Sequence, residues 1–115
     1  IDRMEQAATA FAAARDAALA AGLPTARQAA TNRALIQVER AMTRAEGLRS
    51  RPWYRNLIYV ADVDNGYGTM VFPSVNEAIR YGDAALFDRE LTDLVTRFDA
   101  ATAAIESARV ALGAR

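Results

Sequence analysis

The sequence predicts an all-α fold, three long helices and one short one packed as a bundle, and three observations carry that expectation. Phe87, Leu91, Leu94, Phe98, Ala101, Ile105, Ala108 and Leu112 recur at alternating steps of four and three, a stripe sustained over nearly four heptads. Thr25 to Gln28 and Ser74 to Glu77 both fit the capping box that opens a helix. Gly22-Leu23-Pro24, Gly47 and Gly82 fall between the periodic segments, where helix breakers belong.

The first helix is expected over about Asp2 to Ala21, with Met4, Ala7, Ala8, Phe11, Ala14 and Ala18 on one face. Thr25 as N-cap, with Gln28 three residues on, starts the second. That helix is expected to bury Thr31, Leu35, Val38, Met42 and Ala45, and Gly47 suits its left-handed C-terminal position. These two helices read as a hairpin. Ser74 opens the short third helix and Gly82 stops it. The long C-terminal stripe is expected to be mostly intramolecular core, with Asp93 and Arg97 as an outward i,i+4 pair.

Between Gly47 and Pro73 lies a connection of about 25 residues, where helical bundles typically use 2–8. It holds Trp53, Tyr54, Tyr59, Tyr67 and Phe72, more than half of the aromatic residues. Asn56 to Ala61 favours an extended run, and Asp62-Val63-Asp64-Asn65-Gly66-Tyr67-Gly68 is dense in turn formers. Any local function of the chain is expected here.

Composition removes most chemistries. The chain has 115 residues, enough for a single helical domain over 1–115, and its 14 basic residues balance 14 acidic ones. A neutral chain lacks the basic face of a nucleic-acid binder. With no Cys and no His there is no disulfide, no thiolate or imidazole metal site and no Ser-His-Asp triad. A complete enzyme, and any cofactor held by this chain, is not expected. No apolar run approaches the length of a membrane span, so no membrane contact is expected. Every basic residue is Arg and roughly a quarter of the chain is Ala, a bias that reads as a GC-rich, bacterial genome. The start at Ile1 without an initiator Met suggests a piece of something longer.

Asp62-x-Asp64-x-Gly66 opens like a calcium loop, but Pro73 stands where a bidentate Glu is required, so an Asx-rich turn is the reading. Gly66-x-Gly68 lacks the βαβ context of a dinucleotide fingerprint. The pairs Asp62/Asp64 and Asp88/Glu90 read as solvated surface carboxylates. Arg49, Arg51 and Arg55 surround Trp53 and Tyr54. They form either an anion site or a set of ion pairs and ring contacts within the domain, and the second reading is preferred.

Four motifs in order then resemble a known family. Leu35-Ile36-Gln37-Val38-Glu39-Arg40-Ala41 is followed by Arg51-Pro52-Trp53-Tyr54-Arg55-Asn56-Leu57-Ile58-Tyr59, then by Asp64-Asn65-Gly66-Tyr67-Gly68 and Phe72-Pro73-Ser74. Together they resemble the C-terminal domain of the glutamate carboxypeptidase II and transferrin receptor family. The likeness covers roughly Asn32 to the C-terminus, the first helix fitting by position only. It implies a four-helix up-and-down bundle with a long irregular aromatic-rich loop between helices 2 and 3. It further implies a homodimerisation domain without a catalytic centre, following a peptidase domain that holds two zinc ions and an inserted apical domain, which are its partners within the parent chain. An extracytoplasmic parent is the corresponding expectation.

In the carboxypeptidases of this family a Lys-Tyr pair on the loop holds the substrate's C-terminal carboxylate. The implied substrate-binding residues are Asn65, Gly66 and Tyr67, with Tyr67 as the phenol and Gly66 in the place of the Lys. Gly66 supplies no cation, which puts a preference for glutamate in question. The receptor branch lacks peptidase activity, so membership does not settle catalysis. The leading reading is a dimerisation and pocket-lining domain of a bacterial zinc exopeptidase. A stand-alone helical interaction module and a small carboxylate binder are the alternatives.

Overall fold

A computed structural model describes residues 1–113, so the last two residues of the expected domain lie outside the described ones. The element order is α1 (Asp2–Ala20), α2 (Thr25–Ala41), β1 (Tyr59–Ala61), β2 (Thr69–Val71), α3 (Pro73–Tyr81) and α4 (Ala84–Ala111). The protein is mostly helical, and a small antiparallel sheet lies within the connection that the resemblance gave as an irregular loop, its first strand inside the extended run expected over Asn56 to Ala61. The chain forms two compact units: Ile1–Ala41 with the chain from Phe98 on, and Met42–Arg97.

In the first unit, Gly22 ends α1 with φ +77°, as its position ahead of Pro24 predicts. The capping box at Thr25 does not form. The Pro24 carbonyl accepts the N–H groups of Arg27 and Gln28 instead, and the Gln28 side chain donates to the Leu23 carbonyl at 3.0 Å. The buried residues are Ala7, Thr31, Ala101, Thr102, Ile105, Ala108 and Leu112, so the second half of the α4 stripe is core. Arg27 donates to the Leu112 carbonyl at 3.5 Å, and Arg3 pairs with Asp99 at 3.0 Å on the surface.

The second helix stops six residues before Gly47. Met42 is buried, but Ala45 is exposed. The cause is backbone pairing: Thr43 forms an isolated antiparallel bridge with Asn56, the Met42 carbonyl accepts the Leu57 N–H, and the Arg44 N–H donates to Arg55. Those groups are satisfied by a distant segment instead of by a further helical turn. Gly47 is left-handed (φ +67°), but it turns a loop and caps no helix. A Cβ there would lie 2.0 Å from the Pro52 carbonyl oxygen.

Within the second unit β1 and β2 pair with Tyr59 opposite Val71, Val60 opposite Met70 and Ala61 opposite Thr69. Alternation puts Val60 and Met70 in the core and leaves Tyr59 and Val71 exposed. The second capping box also fails. Phe72, with φ +43°, is the N-cap of α3, and its carbonyl accepts from Val75 and Asn76. Ser74 therefore lies inside the helix, buried and without a partner for its hydroxyl, and Glu77 is engaged elsewhere. Gly82 ends α3 in a Schellman arrangement, its N–H on Ile79 and the Asp83 N–H on Ala78. Asp83 caps α4 through the Leu86 N–H at 2.8 Å.

At its N-terminal end α4 buries Leu86, Glu90 and Leu94, not Phe87 and Leu91. Steps of four, not alternating steps, run back from Leu94, and Leu91 of the expected stripe is exposed. Glu90 is thus a core position. Arg44 reaches it at 2.7 Å and Asp93 at 3.2 Å, while Arg97 holds the other side of Asp93 at 2.8 Å. The solvated reading of Glu90 is corrected accordingly.

Candidate functional site

The segment from Met42 to Phe72 carries the candidate residues, and its anchoring begins at Arg51. The Arg51 guanidinium donates through Nε (3.2 Å) and Nη2 (2.7 Å) to Oε1 of Glu77 on α3. Ser50 donates to the other carboxylate oxygen at 2.6 Å. Nη1 of Arg51 reaches the Ala61 carbonyl at 2.7 Å, and the guanidinium carbon lies 4.9 Å from the centre of the Tyr54 ring. Glu77 is 2% exposed. A buried, doubly contacted ion pair therefore ties the loop, β1 and α3 together. For Arg51 the ion-pair and ring-contact reading holds; Arg49 makes a weaker surface pair with Asp83 at 3.2 Å.

The rest of the motif divides by exposure. Pro52 and Arg55 are exposed; the Arg55 carbonyl accepts the Arg44 N–H, and the Pro52 carbonyl lies where a side chain on Gly47 would have to go. Tyr54 is half-buried beneath Arg51, and Trp53, 6.2 Å from it between ring centres, is 72% exposed. The loop thus packs one aromatic and presents the next.

Asn65, Gly66 and Tyr67 lie in the connection between β1 and β2, which runs over residues 62–68. Asp62 Oδ1 accepts the N–H groups of Asp64 (2.8 Å) and Asn65 (3.1 Å), and Asn65 Oδ1 accepts that of Tyr67 (3.1 Å). The Gly68 N–H closes onto the Asn65 carbonyl, and the Asp62 N–H onto that of Gly68. Asp62, Asn65 and Gly68 thus close the turn, and Tyr67 stands fully in solvent. Arg80 of α3 spans the turn from outside, bonded to Asp62 at 2.9 Å and also to Asp64. The Asp64 N–H chiefly, with the Asn65 N–H and Arg80, holds the Asp62 carboxyl below the usual carboxylate range against a smaller opposing desolvation. Arg80 was not among the sequence candidates, and only the fold brings it to a turn 16 residues away.

A third feature is apolar. Ile79 and Phe87 share an open pocket of about 310 Å³ with Ala78, Gly82, Asp83 and Ala84. Leu91 and Val95 continue the Phe87 face of α4 at steps of four, and Ile79, Leu91 and Val95 are all exposed. Among the described residues no group of three or more His, Cys, Asp or Glu side chains comes together for a metal ion. No helix among the described residues is long and apolar enough to cross a membrane.

Fold and loop together define a helical domain whose aromatic connection is pinned by a buried ion pair and presents a phenol to solvent. The chain belongs to the transferrin receptor-like dimerisation domain family, whose sequence profile matches residues 1–106. It is 46% identical over 48 residues, 42% of the chain, to a probable glutamate carboxypeptidase of Arabidopsis thaliana. It is 31% identical over 70 residues, 61% of the chain, to an inactive zinc metalloprotease of Schizosaccharomyces pombe. These matches cover 7% and 9% of the two relatives, so the chain spans less than a tenth of either.

Proposed function

We propose that this chain is the self-association domain of a bacterial zinc exopeptidase of the glutamate carboxypeptidase type, with Tyr67 lining the substrate pocket of that parent. The family match over residues 1–106 carries the reading. On it, the helices complete an up-and-down four-helix bundle, the parent's peptidase and apical domains are its neighbours, and the zinc chemistry belongs to the peptidase domain. Two features of the site support it. The Ile79, Leu91 and Val95 face offers apolar surface to a second copy, and the rigid turn holds a phenol clear of the domain, able to donate to a carboxylate.

Sedimentation equilibrium over a concentration series tests the first part. A reversible dimer is expected, weakened roughly tenfold or more by Leu91→Glu, which forces a charge into the contact. A strict monomer refutes self-association through this surface. Kinetics of the full-length peptidase test the second part. Tyr67→Phe removes one hydrogen bond to a charged group, about 1.5–3 kcal/mol, and is expected to raise KM for carboxylate-ended peptides at unchanged kcat. An unchanged KM removes Tyr67 from the pocket.

A further inference from the structure

The turn that carries Tyr67 is held by more than its own hydrogen bonds. Arg80 stands on α3, a helix already fixed to the loop by the Glu77 and Arg51 pair. Its two terminal nitrogens divide between Asp62, the acceptor that organises the turn, and Asp64, the next acidic residue along it. A guanidinium is a rigid fork, so gripping two carboxylates fixes the turn's orientation as well as its distance from α3. We propose that Arg80 is the positioning residue of the Tyr67 turn, bracing Asp62 and Asp64 against α3 so that the exposed phenol is presented to its ligand from one preset backbone position.

This inference rests on the reading of Tyr67 as a pocket residue and adds how that residue is held. Tyr67 is fully exposed, so no packing of its ring fixes the side chain; its placement depends on the backbone of the turn. That backbone hangs on Asp62 Oδ1 and Asn65 Oδ1, and Arg80 anchors Asp62 through its other oxygen, Oδ2. Arg80 is a brace and no substitute for the cation that Gly66 lacks. Its two nitrogens are already occupied, and two aspartates against one arginine leave the turn with a net negative charge. Preorganisation of this kind lowers the ordering cost of binding.

The test joins amide exchange in this chain with kinetics in the full-length peptidase. Arg80→Gln is expected to speed exchange of the Asp64, Asn65, Tyr67 and Gly68 amides about tenfold, leaving amides of α4 unchanged. Arg80→Lys, a single point charge, restores protection only in part. Asp64→Asn, at a largely exposed side chain, removes one arm of the fork and gives the same sign should the arginine variant fold poorly. In the peptidase, Arg80→Gln is expected to raise KM about three- to tenfold at constant kcat, and to add nothing in a Tyr67→Phe background. Unchanged exchange overturns the proposal. So does faster exchange with unchanged KM where Tyr67→Phe still raises KM, a result that leaves the pocket reading intact. A silent Tyr67→Phe overturns the pocket reading and this inference with it.

Discussion

Glu77→Ala is expected to be among the most damaging single substitutions in the second unit, because of what it leaves behind. Glu77 is 2% exposed, and the Arg51 side chain is 11% exposed. Deleting the carboxylate strands a buried guanidinium with only the Ala61 carbonyl and the face of Tyr54, and leaves the Ser50 hydroxyl without its acceptor. Breaking a buried pair from one side costs about 3–5 kcal/mol. Glu77→Gln keeps the shape and loses the charge, so the expected loss is about 1.5–3 kcal/mol. The double variant Arg51→Met with Glu77→Leu removes both charges and is expected to recover most of the single-variant loss. Urea titrations followed by circular dichroism and by fluorescence of Trp53, the sole tryptophan, give the free energies. Coincidence of the two probes tests whether the units unfold together. A Glu77→Ala cost below about 1 kcal/mol, or a double variant worse than either single, refutes the ion-pair anchor.

Three further outcomes are expected. Gly47→Ala combines a left-handed φ of +67° with a Cβ 2.0 Å from the Pro52 oxygen, so it should cost well above the ~1–3 kcal/mol of left-handed strain alone. Gly22→Ala, at φ +77° with open space, should stay within that strain; comparison of urea midpoints decides. Leu57→Ala, fully buried, should cost about 2–5 kcal/mol, and half-buried Phe98→Ala less than the 3–5 kcal/mol of a fully buried ring, as thermal melts of both will show. The Asp83 carboxyl is held below the usual range, chiefly by the Leu86 N–H and also by Arg49, against opposing desolvation. A group whose folded pKa is depressed contributes stability above its unfolded value, and that contribution disappears as pH falls through the folded pKa. Asp83→Asn should therefore flatten the acid limb of stability below about pH 4. An unchanged limb would remove Asp83 from the cap's energetics.

Helix existence was legible because it rests on local periodicity and on breakers. Gly22 and Gly82 act where the sequence put them, and the Ala101, Ile105, Ala108 and Leu112 half of the stripe is buried. The turn residues Asp62, Asn65 and Gly68 also carry their own chemistry and were readable one by one. Helix starts were less so. Both expected capping boxes yielded to backbone carbonyls, of Pro24 and Phe72, because a side-chain cap competes with whatever the preceding residue's conformation supplies. The Asp83 cap, an Asp directly after a helix-ending Gly, was there to be read.

Tertiary structure decided everything that pairs residues far apart in the chain. The end of α2 at Ala41 follows from Thr43 meeting Asn56, and nothing in Met42 to Glu46 forbids a helix. Glu90 takes a core position that no hydropathy pattern assigns to a carboxylate, because Arg44 arrives 46 residues away to neutralise it. Glu77 looked like half of a local capping box and is instead the buried counter-ion of Arg51. The sequence by itself determined the helices, the turn and the family, since propensity, periodicity and motif order are local properties. Only the fold decided which charges are buried and what braces Tyr67, since burial and Coulomb energy depend on distance in space and not along the chain.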